Sequence, residues 1–116
     1  MKYFPFFMEL SKKPVLLIGG GEVAERKLDL LLKANAQITI IARDFSDYIT
    51  ELLTLNNIIS IRDSYKKSHL EKEKFSFVIA ATNDESLNSQ IAKDANDKNI
   101  LVNVVDKPEI CDFIFP

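Results

Sequence analysis

Three glycines stand side by side at Gly19, Gly20 and Gly21, and they are the only glycines in a chain of 116 residues. Val15-Leu16-Leu17-Ile18 precedes them and Glu22-Val23-Ala24 follows. An unbroken apolar run that ends in glycine reads as a buried strand leaving its sheet. The residues beyond read as an amphipathic helix, with Val23, Leu28, Leu31 and Leu32 at helical spacing. The spacing Gly19-x-Gly21-x-x-Ala24 is that of the dinucleotide-binding fingerprint, in the strand–turn–helix context the motif requires. Gly19 allows the tight turn out of the strand. Gly21 leaves no side chain between the backbone and a pyrophosphate. Ala24 lets the helix pack closely on the sheet. The helix N-terminus then offers free N–H groups and partial positive charge to phosphates. The same residues would also suit a plain tight turn that binds nothing.

Composition narrows the classes. The chain is long enough for one domain with one core, and 47% hydrophobic with 28% charged residues is the balance of a globular protein. A net charge of −2, with no basic cluster interleaved with aromatics, argues against a nucleic-acid surface. The apolar runs are too short to span a bilayer. Pro5 and Glu9 interrupt the N-terminal apolar stretch, so no signal peptide is expected. One cysteine, Cys111, excludes an internal disulfide and a cysteine-rich metal site and fits a reducing cytoplasm.

Apolar strands alternate with helical stretches, the pattern of βαβ units in a parallel sheet. Strands are expected at Pro14 to Ile18, Gln37 to Ala42, Ile58 to Ile61, Phe75 to Ala80 and Ile100 to Val105. Helices are expected at Glu22 to Ala34, at Phe45 to Leu55 with Ser46 as N-cap, and from a Thr82–Glu85 capping box to about Asp97. Lys66 to Lys74 is polar and reads as a loop or short exposed helix, with His69 solvated. Right-handed crossovers then favour an α/β, Rossmann-type doubly wound sheet of order 3-2-1-4-5. Tyr3 to Leu10 is expected to form a short strand or hook over one end of the sheet. Phe113-Ile114-Phe115 is expected to add a short extra strand, and the native protein to continue past Pro116.

The opening YFPFFMEL, the run PVLLIGGGEVAERK, the strand end VIAATND and the final NVVDKPEICDFIFP together resemble the siroheme synthase family. More narrowly, they resemble its N-terminal precorrin-2 dehydrogenase and sirohydrochlorin ferrochelatase module. The resemblance covers the whole chain. It implies NAD-dependent oxidation of precorrin-2, a tetrapyrrole, to sirohydrochlorin, and insertion of Fe²⁺ by the same module. It also implies a dinucleotide-binding domain over residues 1–116, followed by a helical dimerisation domain that makes a homodimer. A domain that senses NAD without turning it over, or a chelatase that keeps NAD binding as a relic, would share the fingerprint.

Cofactor-binding residues follow from the fingerprint and the resemblance together. Gly19 and Gly21 form the turn, and the backbone of Glu22 and Val23 is assigned to the pyrophosphate. The acid that holds the adenosine ribose should end the second strand. That place is Ala42, which cannot do it, so the resemblance assigns Arg43 and Asp44 to the adenosine pocket. Asp44 suits the ribose hydroxyls. Arg43 suits stacking on adenine or meeting a 2′-phosphate, which leaves NADP open. Thr82, after the small pair Ala80-Ala81, is expected within reach of the cofactor. Asp106, past the fifth strand, is credited by the resemblance with general acid/base work and a part in metal insertion. An Asx turn before Pro108 is its competing role. No resident metal site is expected, and Cys111 has no base beside it in sequence.

Overall fold

The computed structural model describes all 116 residues, Met1 to Pro116. Five parallel strands lie in the order β3-β2-β1-β4-β5. They are β1 (Pro14–Ile18), β2 (Gln37–Ala42), β3 (Ile59–Arg62), β4 (Phe77–Ala80) and β5 (Leu101–Val104). Helices α1 (Glu22–Lys33), α2 (Asp47–Leu55) and α3 (Glu85–Asp97) connect them. The period-2 alternation of a strand sends neighbouring side chains to opposite faces. Val15 and Leu17 therefore join Leu28 and Leu31 of α1 and Ile49 of α2 in one apolar cluster. Leu16 and Ile18 join Ile91, Ala92 and Ala95 of α3 in another. Helices thus cover both faces, and the chain reverses its winding between β1 and β4, where doubly wound sheets bind ligands.

With every glycine used in one turn, asparagine does the work glycine does elsewhere. Asn35 and Asn99 sit just past the C-caps of α1 and α3 with φ near +58°. Asparagine tolerates that left-handed conformation and ends the helix.

Four local expectations are corrected. Helix α2 begins at Asp47, after an N-cap Ser46 whose hydroxyl accepts from the Ile49 N–H at 3.2 Å. Helix α3 begins at Glu85, and its N-cap is Asp84, which accepts from the Leu87 N–H at 3.2 Å. Thr82 lies two residues before that cap. His69 is buried in a 3-10 turn (Lys67–Glu71), not solvated. Its Nδ1 accepts from the Lys66 N–H at 3.0 Å, which leaves the ring proton on Nε2, 3.3 Å from Asp63 Oδ2. Of the strand and the hook expected over Tyr3 to Leu10, the strand does not form; most of Met1 to Leu10 lines an apolar groove with Phe77 and Leu101, at the starts of β4 and β5.

The extra C-terminal strand does not form either. A 3-10 turn (Pro108–Ile110) instead leads into a segment that covers the free edge of β5. The outward N–H of Val102 donates to the Asp112 carboxylate at 2.9 Å, and that of Val104 donates to Cys111 Sγ at 3.1 Å. Asn103 Nδ2 donates to the Phe113 carbonyl at 2.9 Å. Side chains thus satisfy an edge that another strand would otherwise pair. Phe113 then turns onto Phe77, their ring centroids 4.9 Å apart. Asp112→Ala is expected to leave the Val102 N–H unpartnered and to lower stability by about 1 kcal/mol, measured by urea unfolding. Unchanged stability would show that water replaces the carboxylate there.

Candidate cofactor site

The glycine turn is tied at three points. Gly19 N–H donates to the Ile41 carbonyl at 2.9 Å, and Ala81 N–H donates to the Ile18 carbonyl at 2.8 Å. The Gly20 carbonyl accepts from the Ser46 N–H at 2.8 Å. The turn therefore lies where the ends of β1, β2 and β4 meet. Two of its glycines are needed by the protein itself. A β-carbon on Gly19 would strike the Ala81 carbonyl, and φ of +141° there already excludes most side chains. A β-carbon on Gly20 would strike the Asp44 carbonyl.

Gly21 is different. A β-carbon built on it meets nothing within 4 Å, and its φ of −107° and ψ of −160° are extended backbone open to any residue. No protein atom requires glycine there. It borders a cleft of about 870 Å³, so its missing side chain leaves room for a ligand. Gly21 is also the N-cap of α1, and α1 has no side-chain cap. The first-turn N–H groups of α2 and α3 are met by Ser46 and Asp84. Those of α1 stay available to an anion, and the helix dipole adds positive charge. Open space and uncapped amides together fit a dinucleotide pyrophosphate.

The cleft gathers Gly19, Gly21, Glu22, Val23, Arg43, Asp44 and Thr82. Gly20, Phe45, Ser46, Asp63, Ser64 and Tyr65 line it as well, and these were not anticipated as site residues. Asp63 to Tyr65 follow β3 and come to the cleft by crossover, so no local pattern marks them. The His69 and Lys66 contacts hold that loop: Lys66 Nζ is 3.3 Å from Asp63 and keeps its carboxyl below the usual range. Tyr65 donates to Asp94 of α3 at 2.8 Å, and burial first, then that carboxylate, pushes the phenol well above its ordinary pKa.

Thr82 lines the cleft, but its hydroxyl proton is committed. Oγ1 donates to Asn88 Oδ1 at 2.6 Å and accepts from the Asp84 N–H at 3.2 Å. The buried Asn88 also takes the Thr82 N–H and donates to its carbonyl. Asn88 thus sets the shape of the loop after β4. A polar residue on the apolar face of α3 was the sequence signal for it.

Arg62 of β3 does not line the cleft itself but stands against Arg43, Asp44 and Phe45, which do. Nη1 donates to the Arg43 carbonyl at 3.3 Å and lies 3.8 Å from Asp44 Oδ1. The guanidinium carbon is 5.1 Å from the Phe45 ring centroid.

Asp106 is not among the cleft-lining residues. It sits just past β5 with φ of +60°, in a turn closed by the Lys107 N–H donating to the Val104 carbonyl at 3.3 Å. The Asx turn is not available to its side chain: the acceptor would need the N–H two residues on, and Pro108 has none. The carboxylate is exposed. Its charge reaches Lys27 on α1, whose pKa is lowered by burial and by Arg26 while Asp106 and Cys111 push it up. Cys111 itself is occupied by the β5 edge and by the Lys107 carbonyl.

Comparisons with known proteins agree with this geometry. Residues 6–116 match the profile of a family described as "Putative NAD(P)-binding". Siroheme synthases from a Psychrobacter species (strain PRwf-1) and from Ruthia magnifica are 48% and 40% identical over the whole chain. The chain spans about a quarter of the length of those relatives, 23% and 24%. A solved structure described as SirC, precorrin-2 dehydrogenase, superposes with a TM-score of 0.76 at 29% identity, over 89% of this chain and 49% of that one. No helix is long and apolar enough to cross a membrane. Because the family match leaves out only the first five residues, the chain belongs to this NAD(P)-binding family, and its cofactor is NAD.

Proposed function

We propose that this chain is the NAD-binding unit of a precorrin-2 dehydrogenase, which oxidises precorrin-2 to sirohydrochlorin on the route to siroheme. Gly21 is the observation that carries the reading: no protein atom requires glycine there, and the space it leaves open supports a ligand over the turn. The family resemblance and the SirC likeness supply the substrate. Bound NAD supplies the hydride acceptor. The chain's own part is to seat the pyrophosphate on the amides of Glu22 and Val23, to hold the adenosine end with Arg43 and Asp44, and to bring Thr82 beside the cofactor. Asp106 takes the proton released with the hydride. In the full-length protein the same carboxylate assists Fe²⁺ entry as the pyrrole protons leave.

Residues 1–116 form the dinucleotide-binding domain in this reading. A helical dimerisation domain follows, the working unit is a cytoplasmic homodimer, and much of the tetrapyrrole pocket comes from outside this stretch. The chain's net charge of −2 supports that division, because the substrate carries many carboxylates. The test is full-length protein mixed with precorrin-2 and NAD. NADH and sirohydrochlorin are expected in equal amounts. NAD binding without NADH formation would favour a sensing domain and overturn the dehydrogenase reading.

A further inference from the structure

His69 is buried and does not line the cleft. It is bonded to Lys66, the residue after Asp63, Ser64 and Tyr65, which do. Both backbone groups of Lys66 end on His69. The Lys66 N–H donates to Nδ1 at 3.0 Å, and the Lys66 carbonyl accepts from the His69 N–H at 2.9 Å. On the other side of the ring, Nε2 lies 3.3 Å from Asp63 Oδ2, and Lys66 Nζ lies 3.3 Å from that same oxygen.

Only the neutral ring fits these contacts. It has a single acceptor nitrogen, and Nδ1 gives that acceptor to Lys66. A second proton can enter only at Nδ1, where it meets the Lys66 N–H donor against donor. That bond is then lost, and the ring and the Lys66 backbone part. Asp63 does not prevent the protonation, because a carboxylate beside imidazole favours its charged form. It draws the ring toward the oxygen that Lys66 Nζ already holds.

Histidine is the side chain whose charge ordinarily changes between pH 5 and 8. The groups around His69 keep their states over that range. Hydrogen bonding to Lys66 holds the Asp63 carboxyl below its usual range. Tyr65, its ring centroid 6.2 Å from that of His69, stays protonated, since burial and Asp94 push its phenol up. Asp94 of α3 also accepts from Gln90 at 2.8 Å. The charges along the turn pair with α3: Lys67 with Asp97 at 3.1 Å, and Glu71 with Lys98 at 2.8 Å.

We propose that His69 is a positioning residue for the cofactor, and that its protonation releases the cleft wall of Asp63 to Tyr65, so that NAD is held more weakly in acid. The inference rests on the cleft being the NAD site. Its sign follows from linkage: NAD binds best to the form with the neutral ring, so binding expels a proton where the ring would otherwise carry one. Affinity is level at the alkaline end of the range and declines as the pH falls through it.

Calorimetric titration of NAD into the 116-residue chain tests this, because His69 is its only histidine. NAD has no group that titrates between about pH 5.5 and about pH 7.5, the two conditions compared. Wild type should bind at least about fivefold more weakly at the lower pH. His69→Asn keeps an acceptor for the Lys66 N–H but cannot take up the proton. It should bind within about threefold of wild type at the higher pH and vary less than about twofold between the two. Repeating the wild-type titration near pH 6 in buffers of different ionisation enthalpy counts the protons, and release of a fraction of one is expected. That count decides the matter even if His69→Asn fails to fold. Affinity independent of pH, or binding without proton release, would overturn the proposal. So would a pH dependence that His69→Asn retains in full. Wild-type chain that binds no NAD at the higher pH would overturn the cleft assignment itself, a result distinct from binding that ignores pH.

Discussion

Asp106→Asn in the full-length protein is expected to slow NADH formation from precorrin-2 by about 10²–10⁴-fold, the usual contribution of a general acid or base. NAD affinity should not change, because Asp106 lies outside the cleft that holds the cofactor. The substitution suits the backbone: φ at this position is +60°, and asparagine adopts that conformation as readily as aspartate. A loss of rate therefore cannot come from a strained turn. It cannot come from a lost Asx turn either, since Pro108 offers no N–H to accept. What asparagine removes is the negative oxygen proposed to take the proton, and the charge felt by Lys27. A rate within about twofold of wild type would remove Asp106 from the chemistry.

Gly21→Val is expected to weaken NAD binding by about 100-fold or more while the chain keeps its circular dichroism and melting temperature. The side chain enters open cleft and touches no protein atom. Extended backbone at this position suits a β-branched residue. It would, however, stand where the phosphates approach the first amides of α1. Two charge-assisted hydrogen bonds lost at about 1.5 kcal/mol or more each account for the factor. Gly19→Ala, two residues earlier, is expected to behave in the opposite way. Its β-carbon meets the Ala81 carbonyl across the β1–β4 junction, so folding fails before binding can be measured. If Gly21→Val binds NAD normally, the pyrophosphate does not lie over this turn. If it unfolds, the open space beside Gly21 is not what the structure describes.

How much of this was legible in the chain depends on the range of the forces involved. Strands β1 and β2 fall on the residues that their apolar runs predict, because a strand buried on both faces writes itself as a continuous run. The order 3-2-1-4-5 follows from right-handed crossovers of short helices, which leave few alternatives. Gly19, Gly21, Glu22, Val23, Arg43, Asp44 and Thr82 meet in one cleft because each sits at the carboxyl end of a strand or at the helix start that follows it. Strand order alone brings those ends together.

Tertiary structure decided whatever depends on partners distant in sequence. His69, flanked by Ser68 and a short run of charges, reads as solvated, yet it is buried because the turn that carries it packs Leu70 inward and sets its Nε2 3.3 Å from Asp63 Oδ2. Phe113 to Phe115 has the composition of a strand. The Val102 and Val104 amides it would have paired are taken first by Asp112 and Cys111. Gly20 is glycine because a carbonyl 24 positions later, that of Asp44, fills the place of its side chain. Arg62 reaches Asp44 only because β3 pairs with β2. The chain by itself determined its elements, their order and its glycine turn, all of which arise from local periodicity and backbone geometry. Which polar side chains are buried, which edge is covered and which charge faces Asp44 arise from contacts between elements, and only the folded arrangement decided them.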